Sequence, residues 1–368
     1  MTIFAPFASS WSKAFSPRIV TLAGALLFSL GNILASFGTR LWHFTLCQGI
    51  ILGLGTCMSY IPAVTVAPGW YDSWRGVAMG IVLSGTGVGG VFWAPILRML
   101  NASIGFRDTL RLTGVVSFVL IAVSASILRW DPASTLRNER EFRATSRGGR
   151  MGVPLVNWRI VKSRKFLAQA TGAVLQASAY YTPIYFFSTY SRLLGYTAAS
   201  GANFIAASNA SSAAGKVVLG LVADRFGRLN TLFICTVISA VTALGLWLPS
   251  TLSVGEEKSR TLFAIFSVTY GIFAGAYISL FPTALVELFG VQNFSSINGF
   301  LYMLRGLGSL IGTPTAGVLL RGGSSLPAMA IGYEKLSSMV GILMAGAAGA
   351  VLWVRIESAD FQAWKWRM

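Results

Sequence analysis

Stretches of about twenty mostly apolar residues, the length a helix needs to cross a bilayer core of ~30 Å, recur along the whole chain. Ten segments satisfy that length: 19–38, 42–65, 76–97, 109–128, 166–188, 200–222, 229–249, 261–286, 296–319 and 336–354. A backbone in lipid has to satisfy its own polar groups, so such segments can only be helices. Gly, Pro or charge marks their ends, as in Gly38-Thr39-Arg40 and Asp131-Pro132. Internal glycines such as Gly85, Gly87, Gly89 and Gly90 would weaken a helix in water, but in lipid they let two helices approach closely. The expected fold is an all-α integral membrane protein with about ten complete transmembrane helices and a partial one at the N-terminus.

Charge orients these helices. The 29 Lys and Arg outnumber the 12 Asp and Glu, and a net charge of +17 would ordinarily suggest a nucleic-acid partner. Their placement argues against that partner, because ten of them lie between Arg129 and Lys165 and most of the others flank apolar segments. Alternating sides from span to span puts 18 on the side of this interval and nine on the other, with two inside spans. The positive-inside rule therefore makes the interval cytoplasmic. The interval separates four spans from six and reads as a flexible, solvated linker, with Arg137, Arg140, Arg143, Arg147, Gly148, Gly149 and Arg150. The expected organisation is an N-terminal helical bundle over 1–128, a basic linker over 129–165, a C-terminal six-helix bundle over 166–356 and a cytoplasmic tail over 357–368.

Several function classes lack the residues they require. The odd number of cysteines, Cys47, Cys57 and Cys235, all in apolar segments, suits neither a disulfide framework nor a zinc site. No span pairs an acid with a base, offers a nucleophile beside a base, or groups metal ligands, and no Gly-Lys-Ser/Thr loop is present to cradle a nucleotide phosphate. An enzyme, a bound cofactor, a metal site and an ATP-driven pump are therefore not expected. The single histidine, His43, opens a span and is expected at the interface. Asn101-Ala102-Ser103 fits a glycosylation acceptor on the outer side, although so close to the membrane that modification is not expected.

Charged groups inside spans are costly and generally face the bundle interior or a watery cavity, which singles out Lys216 and Arg305. Lys216 shares a helix face with Asn209 and Ser212, and Arg305 shares a stripe with Asn298, Tyr302 and Ser309. All twelve acidic residues fall in loops or near span ends, so an anionic substrate is a candidate counter-ion. Structural roles compete with that reading: Lys216 could snorkel to the cytoplasmic face, and Arg305 could bond backbone carbonyls or reach Glu287. Tyr180, Tyr181, Tyr185, Phe186 and Phe187 form an aromatic run that suits a bundle core or a gate, with Tyr181 a candidate substrate contact.

Three stretches resemble a known family. Gly220-Leu221-Val222-Ala223-Asp224-Arg225-Phe226-Gly227-Arg228 is a short charged turn between two spans. In it Asp224 can cap or pair at a helix end, Arg225 and Arg228 suit the headgroup region, and Gly227 permits the reversal. It resembles the loop signature of the major facilitator superfamily, a latch that joins two helices of one half at the cytoplasmic face. Pro68 to Gly80, with Trp70, Tyr71, Trp74 and Arg75 ahead of a glycine-rich helix, and Gly306 to Gly317 resemble the monocarboxylate-transporter branch, particularly its fungal members.

The resemblance implies a two-bundle, twelve-helix transporter that moves small organic solutes by alternating access. The implied cargo is a monocarboxylate-like anion or a secondary metabolite, and the plasma membrane is the implied location in preference to a vacuolar or other internal membrane. In that branch an Arg, with an Asp four residues earlier, handles substrate and protons. Alignment through Gly220 puts Lys216 at the Arg and Ser212 at the Asp. Anion binding survives that exchange with less geometric specificity, whereas coupled protons lose an evident carrier. The first-half counterpart of the latch, Ser10 to Arg18, is degenerate and preceded by only nine residues. The resemblance therefore implies a shortened member lacking the first helix and most of the second, and a truncated, non-transporting membrane protein is the alternative.

Overall fold

A computed structural model of the chain describes residues 2–147, 158–252, 255–320 and 326–358, with 141–147, 198–199 and 326–330 described by backbone alone. Among these residues every regular element is helical. A short α1 (Ala5–Phe15) precedes α2 (Pro17–Ser36), α3 (Leu41–Gly69), α4 (Arg75–Ser103) and α5 (Gly105–Ile127). Then come α6 (Pro132–Arg147), α7 (Arg164–Leu193), α8 (Ala198–Phe226), α9 (Arg228–Leu252), α10 (Glu256–Phe289), α11 (Val291–Leu320) and α12 (Leu326–Ser358). Eight of the ten apolar segments lie within one of these helices, while 19–38 and 109–128 overrun the ends of α2 and α5 by two residues and one; eight helices among the described residues are long and apolar enough to cross a membrane. The other two, α7 and α11, have the length, at 30 residues each, but carry more polar side chains, among them Gln169, Gln176, Asn298 and Arg305.

The chain divides into two compact units. One comprises Met1–Asp72, Phe92–Trp158 and Leu285–Met303; the other comprises Ser73–Val91, Arg159–Ala284 and Leu304–Met368. Helices α1, α2, α3 and α5 belong to the first, and α7, α8, α9 and α12 to the second, while α4, α10 and α11 contribute residues to both.

In the first unit α2 packs along α3 through small residues. A Cβ on Gly24 would meet Ser59 and the Gly55 carbonyl, and one on Gly55 would meet the backbone of Phe28. Such contacts replace the hydrophobic drive that lipid removes. His43 closes the N-terminus of α3, its Nδ1 accepting from the backbone N–H of Thr39 at 3.1 Å and of Arg40 at 3.3 Å. The interfacial histidine is thus a cap. His43→Ala is expected to cost about 1 kcal/mol, the usual worth of a cap, and to speed amide exchange at Thr39 and Arg40 while amides in the middle of α3 stay protected.

The start of the basic interval is not flexible chain. Trp130 Nε1 donates to the Ser12 carbonyl at 3.2 Å, Arg18 Nε to the Leu128 carbonyl at 3.0 Å, and Trp70 Nε1 to the Arg129 carbonyl at 3.0 Å. Asp131, buried, then accepts from Ser134 N at 3.0 Å and opens α6, with Pro132 at its first position. Residues 132–147 are therefore a helix where the sequence suggests a flexible linker, and 132–140 are still mostly exposed. Arginine, glutamate and alanine make up half of these residues, and all three favour a helix whatever the net charge. Residues 148–157, with Gly148, Gly149 and Arg150, and the tail from 359 lie outside the described residues.

The core of the second unit is aromatic. Trp247 stacks on Phe266 (centroids 5.1 Å, 15°), and Tyr190 packs against Phe263 at 4.9 Å and Tyr333 at 4.7 Å. The Tyr190 hydroxyl lies 2.8 Å from that of Ser250, which donates to the Ser259 carbonyl at 3.0 Å. The polar end of Tyr190 is thus satisfied where α7 meets the end of α9 and the start of α10. This core fixes α7, α9, α10 and α12, the frame on which the charged residues are set.

Candidate functional site

The charged turn joins α8 to α9 in the second unit. Gly227 sits at φ +97°, a conformation that a side chain resists, and its N–H closes α8 onto the Ala223 carbonyl at 3.0 Å. Asp224, 3% exposed, leaves its own helix and accepts from Gly76 N through Oδ1 and from Val77 N through Oδ2, both at 2.9 Å. Those are first-turn N–H groups of α4, which lack intrahelical partners and carry the positive end of the helix dipole. Gly76 and Gly220 allow the approach, since a Cβ on either would strike the other's carbonyl oxygen. Arg228 donates from Nε and Nη2 to the same Oδ1 at 3.2 Å and is only 14% exposed, so it belongs to the clasp. Arg225 is exposed.

The first-half counterpart keeps the turn but not the chemistry. Ser16 adopts φ +102°, the only non-glycine among the described residues in that region, and three residues earlier Lys13 stands where Asp224 stands before Gly227. Lys13 Nζ donates to Ser296 Oγ at 3.4 Å, and Ser9 Oγ to the Ser295 carbonyl at 2.6 Å. Since α11 begins at Val291, these serines lie in its second turn, past the orphan N–H groups a carboxylate would cap.

From the clasp inward, α4 and α8 run antiparallel with glycines at the contact. A Cβ on Gly80 would run into the Lys216 carbonyl, and one on Gly87 into the Asn209 carbonyl and Ala213. Lys216 is 2% exposed and does not snorkel. Its Nζ donates to the Leu83 carbonyl at 3.1 Å and to Thr86 Oγ1 at 2.6 Å. Asn209 packs its side chain on Gly90 of the same α4 face, and Ser212, buried, faces Gly275 of α10.

Arg305, 8% exposed, is laid over aromatic faces: its guanidinium carbon is 5.4 Å from the Tyr277 centroid and 5.1 Å from that of Phe281. The two rings stack on each other at 5.6 Å. Two such faces attract a guanidinium most strongly where water is excluded. Tyr180 neighbours Ser212 and lies within electrostatic reach of Arg305. Arg305, Tyr180 and Ser212 are thus adjacent, and Lys216 lies one turn beyond Ser212 on α8.

Of the other aromatic candidates, Phe187 is a core residue against Phe263 and Phe266. Tyr181 sets its edge on Tyr180 at 4.8 Å and stacks on Tyr185 at 5.9 Å, with both outer rings exposed. The stripe Asn298, Tyr302, Arg305, Ser309 divides between the units. Asn298 and Tyr302 fall in the first, where Asn298 is wholly buried and the Tyr302 hydroxyl lies 3.4 Å from that of Tyr60. Asn101 is exposed in the last turn of α4. Sequence reasoning did not find Thr86, Tyr277 or Phe281. The one available signal was that Thr86 adjoins Gly87 on the glycine face of α4. No cluster of three or more His, Cys, Asp or Glu suited to a metal occurs among the described residues.

Eight helices long and apolar enough to cross a membrane, among the described residues, mark a multi-pass integral membrane protein. The chain belongs to the Major Facilitator Superfamily, whose model matches residues 1–313. Its relatives include an MFS-type transporter of Gibberella moniliformis, 26% identical over 96% of this chain and 79% of that protein. The agnestins efflux protein AgnL12 of Paecilomyces divaricatus is 26% identical over 93% and 72%. Human monocarboxylate transporter 11 is 28% identical over 85% and 65%. Among solved structures, the proton:xylose symporter XylE shares the fold with TM-score 0.71 at 13% identity, covering 94% of this chain and 82% of that one. The Escherichia coli fucose:proton symporter FucP does so with TM-score 0.64 at 14% identity, over 98% and 88%. These relatives point to a transporter and away from an enzyme.

Proposed function

We propose that the protein carries a small organic anion, a monocarboxylate or an acidic secondary metabolite, across the plasma membrane by alternating access. The observation that carries this reading is Lys216: a fully buried ammonium whose acceptors, a carbonyl and a hydroxyl, are both neutral, with no carboxylate within ion-pair distance among the described residues. Neutral acceptors orient a buried charge without cancelling it, and an anionic substrate supplies the missing sign. Ser212 and Asn209 flank the ammonium on α8, and Arg305 with Tyr180 extends the polar surface toward Tyr181. Asn298 and Tyr302 are further candidates for the substrate path. The clasp from Gly220 through Asp224 to Arg228, with Arg225 at the surface, steadies one conformational state. The names of the fungal relatives, one of them an efflux protein, favour export, and the positive-inside rule applied to the basic interval supports a cytoplasmic linker side.

The test is transport into reconstituted vesicles of labelled pyruvate, nicotinate and uncharged xylose, with and without an imposed pH gradient. Pyruvate or nicotinate should move and xylose should not. Lys216→Ala should lower the carboxylate rate more than about tenfold, the usual worth of a lost charge-assisted contact. Carboxylate transport indifferent to Lys216→Ala, or transport of xylose alone, overturns the reading. No movement of any of the three favours a non-transporting membrane protein. A carboxylate rate raised by an inward proton gradient assigns coupled protons a carrier other than Ser212.

A further inference from the structure

The contact between Lys216 and α4 is a closed ring of three groups. Lys216 Nζ donates to Thr86 Oγ1 at 2.6 Å and to the Leu83 carbonyl at 3.1 Å, while the Thr86 hydroxyl donates to the same carbonyl at 2.8 Å. An ammonium has three N–H groups and the ring uses two. The lysine stem is flexible, and holding its end in one place costs rotamer freedom that any ligand would otherwise have to supply. Glycines one and two turns away bring the two backbones together, so the ring is seated at a fixed distance from α4.

We propose that Thr86 is a positioning residue for substrate: it holds the Lys216 ammonium with its remaining N–H available to an anion, so that the carboxylate meets a preset donor. The proposal rests on the reading of Lys216 as the anion-binding group. The hydroxyl is what counts. Threonine both accepts from the ammonium and donates to Leu83, and serine can do the same, whereas valine has nearly the same shape and does neither. Without the hydroxyl the ammonium keeps one anchor and gains freedom, and the anion pays to order it.

Two measurements test this on the full chain in vesicles. In transport of pyruvate and nicotinate, Thr86→Val should raise KM about tenfold, the order expected for one charge-assisted hydrogen bond, with the maximal rate little changed and Thr86→Ser restoring KM. A role in helix packing alone predicts equal KM in all three proteins, and that result overturns the proposal. The second measurement needs no substrate. Acylation of Lys216 by a membrane-permeant amine reagent, read by mass spectrometry, should be several-fold faster in Thr86→Val than in the wild type or Thr86→Ser. Equal rates also overturn the proposal. If Lys216→Ala leaves carboxylate transport intact, the underlying reading fails. If Lys216→Ala abolishes transport while Thr86→Val matches the wild type, only the role of Thr86 fails.

Discussion

Asp224→Ala should destabilise the protein by roughly 3–5 kcal/mol, the cost of removing one partner from a buried charged network. Two first-turn N–H groups of α4 lose their acceptor, and the nearly buried Arg228 loses its counter-ion. Asp224→Asn should fall between wild type and alanine, because an amide carbonyl can accept from one N–H but cannot serve both or neutralise Arg228. Arg225→Ala, at an exposed residue of the same turn, should change stability by less than about 0.5 kcal/mol. Thermal scans in detergent of the four proteins read the order directly. If Asp224→Ala is as mild as Arg225→Ala, the turn is an ordinary basic hairpin and not a clasp. Transport should suffer as well, since the state with α4 held to α8 becomes less populated.

Gly80→Leu should be more damaging to activity than any change to a charged surface residue. A Cβ at this position collides with a backbone carbonyl, that of Lys216, which cannot rotate away as a side chain would. Overpacking of this kind costs about 1–3 kcal/mol by itself. Here it also forces α4 from α8 and so takes Leu83 and Thr86 away from the ammonium. Carboxylate uptake should be lost even where the protein still reaches the membrane. Gly80→Ala should show the same defect in weaker form. Gly85→Ala on the same helix should be nearly silent, because nothing lies within 4 Å of its Cβ position. Equal effects at Gly80 and Gly85 would mean that helix propensity, and not close approach, is what these glycines supply.

What could be read from the sequence follows from how local each signal is. An apolar run of bilayer length has one structural solution, so the spans were legible without knowledge of their neighbours. The turn from Gly220 to Arg228 was legible for the same reason, yet its target was not: Asp224 reaches the end of α4, and the acceptor's partners are backbone groups with no side chain to advertise them. Lys216 stood out as a cation in an apolar span, but Thr86 lies 130 residues away and is neutral. Tyr277 and Phe281 looked like core because an aromatic pair one helical turn apart usually is core; only the fold brings Arg305 above them. The stripe from Asn298 to Ser309 shares one helix face, as periodicity indicates, but periodicity is blind to where along a helix one packing unit gives way to another. The helix at 132–147 was hidden by its charge, which speaks to solubility and not to backbone preference.

Since Asp224 grips peptide N–H groups, its recognition of α4 does not depend on the identity of any side chain there. Evolution is therefore free to rewrite the chemistry of that helix end, toward new headgroups or new neighbours, so long as Gly76 stays small enough for the two backbones to meet. A lock that reads bulk and not chemical type is tolerant of drift on one side and brittle at a single atom on the other. Divergence within such a lineage should accordingly gather around the clasp while leaving its glycines untouched.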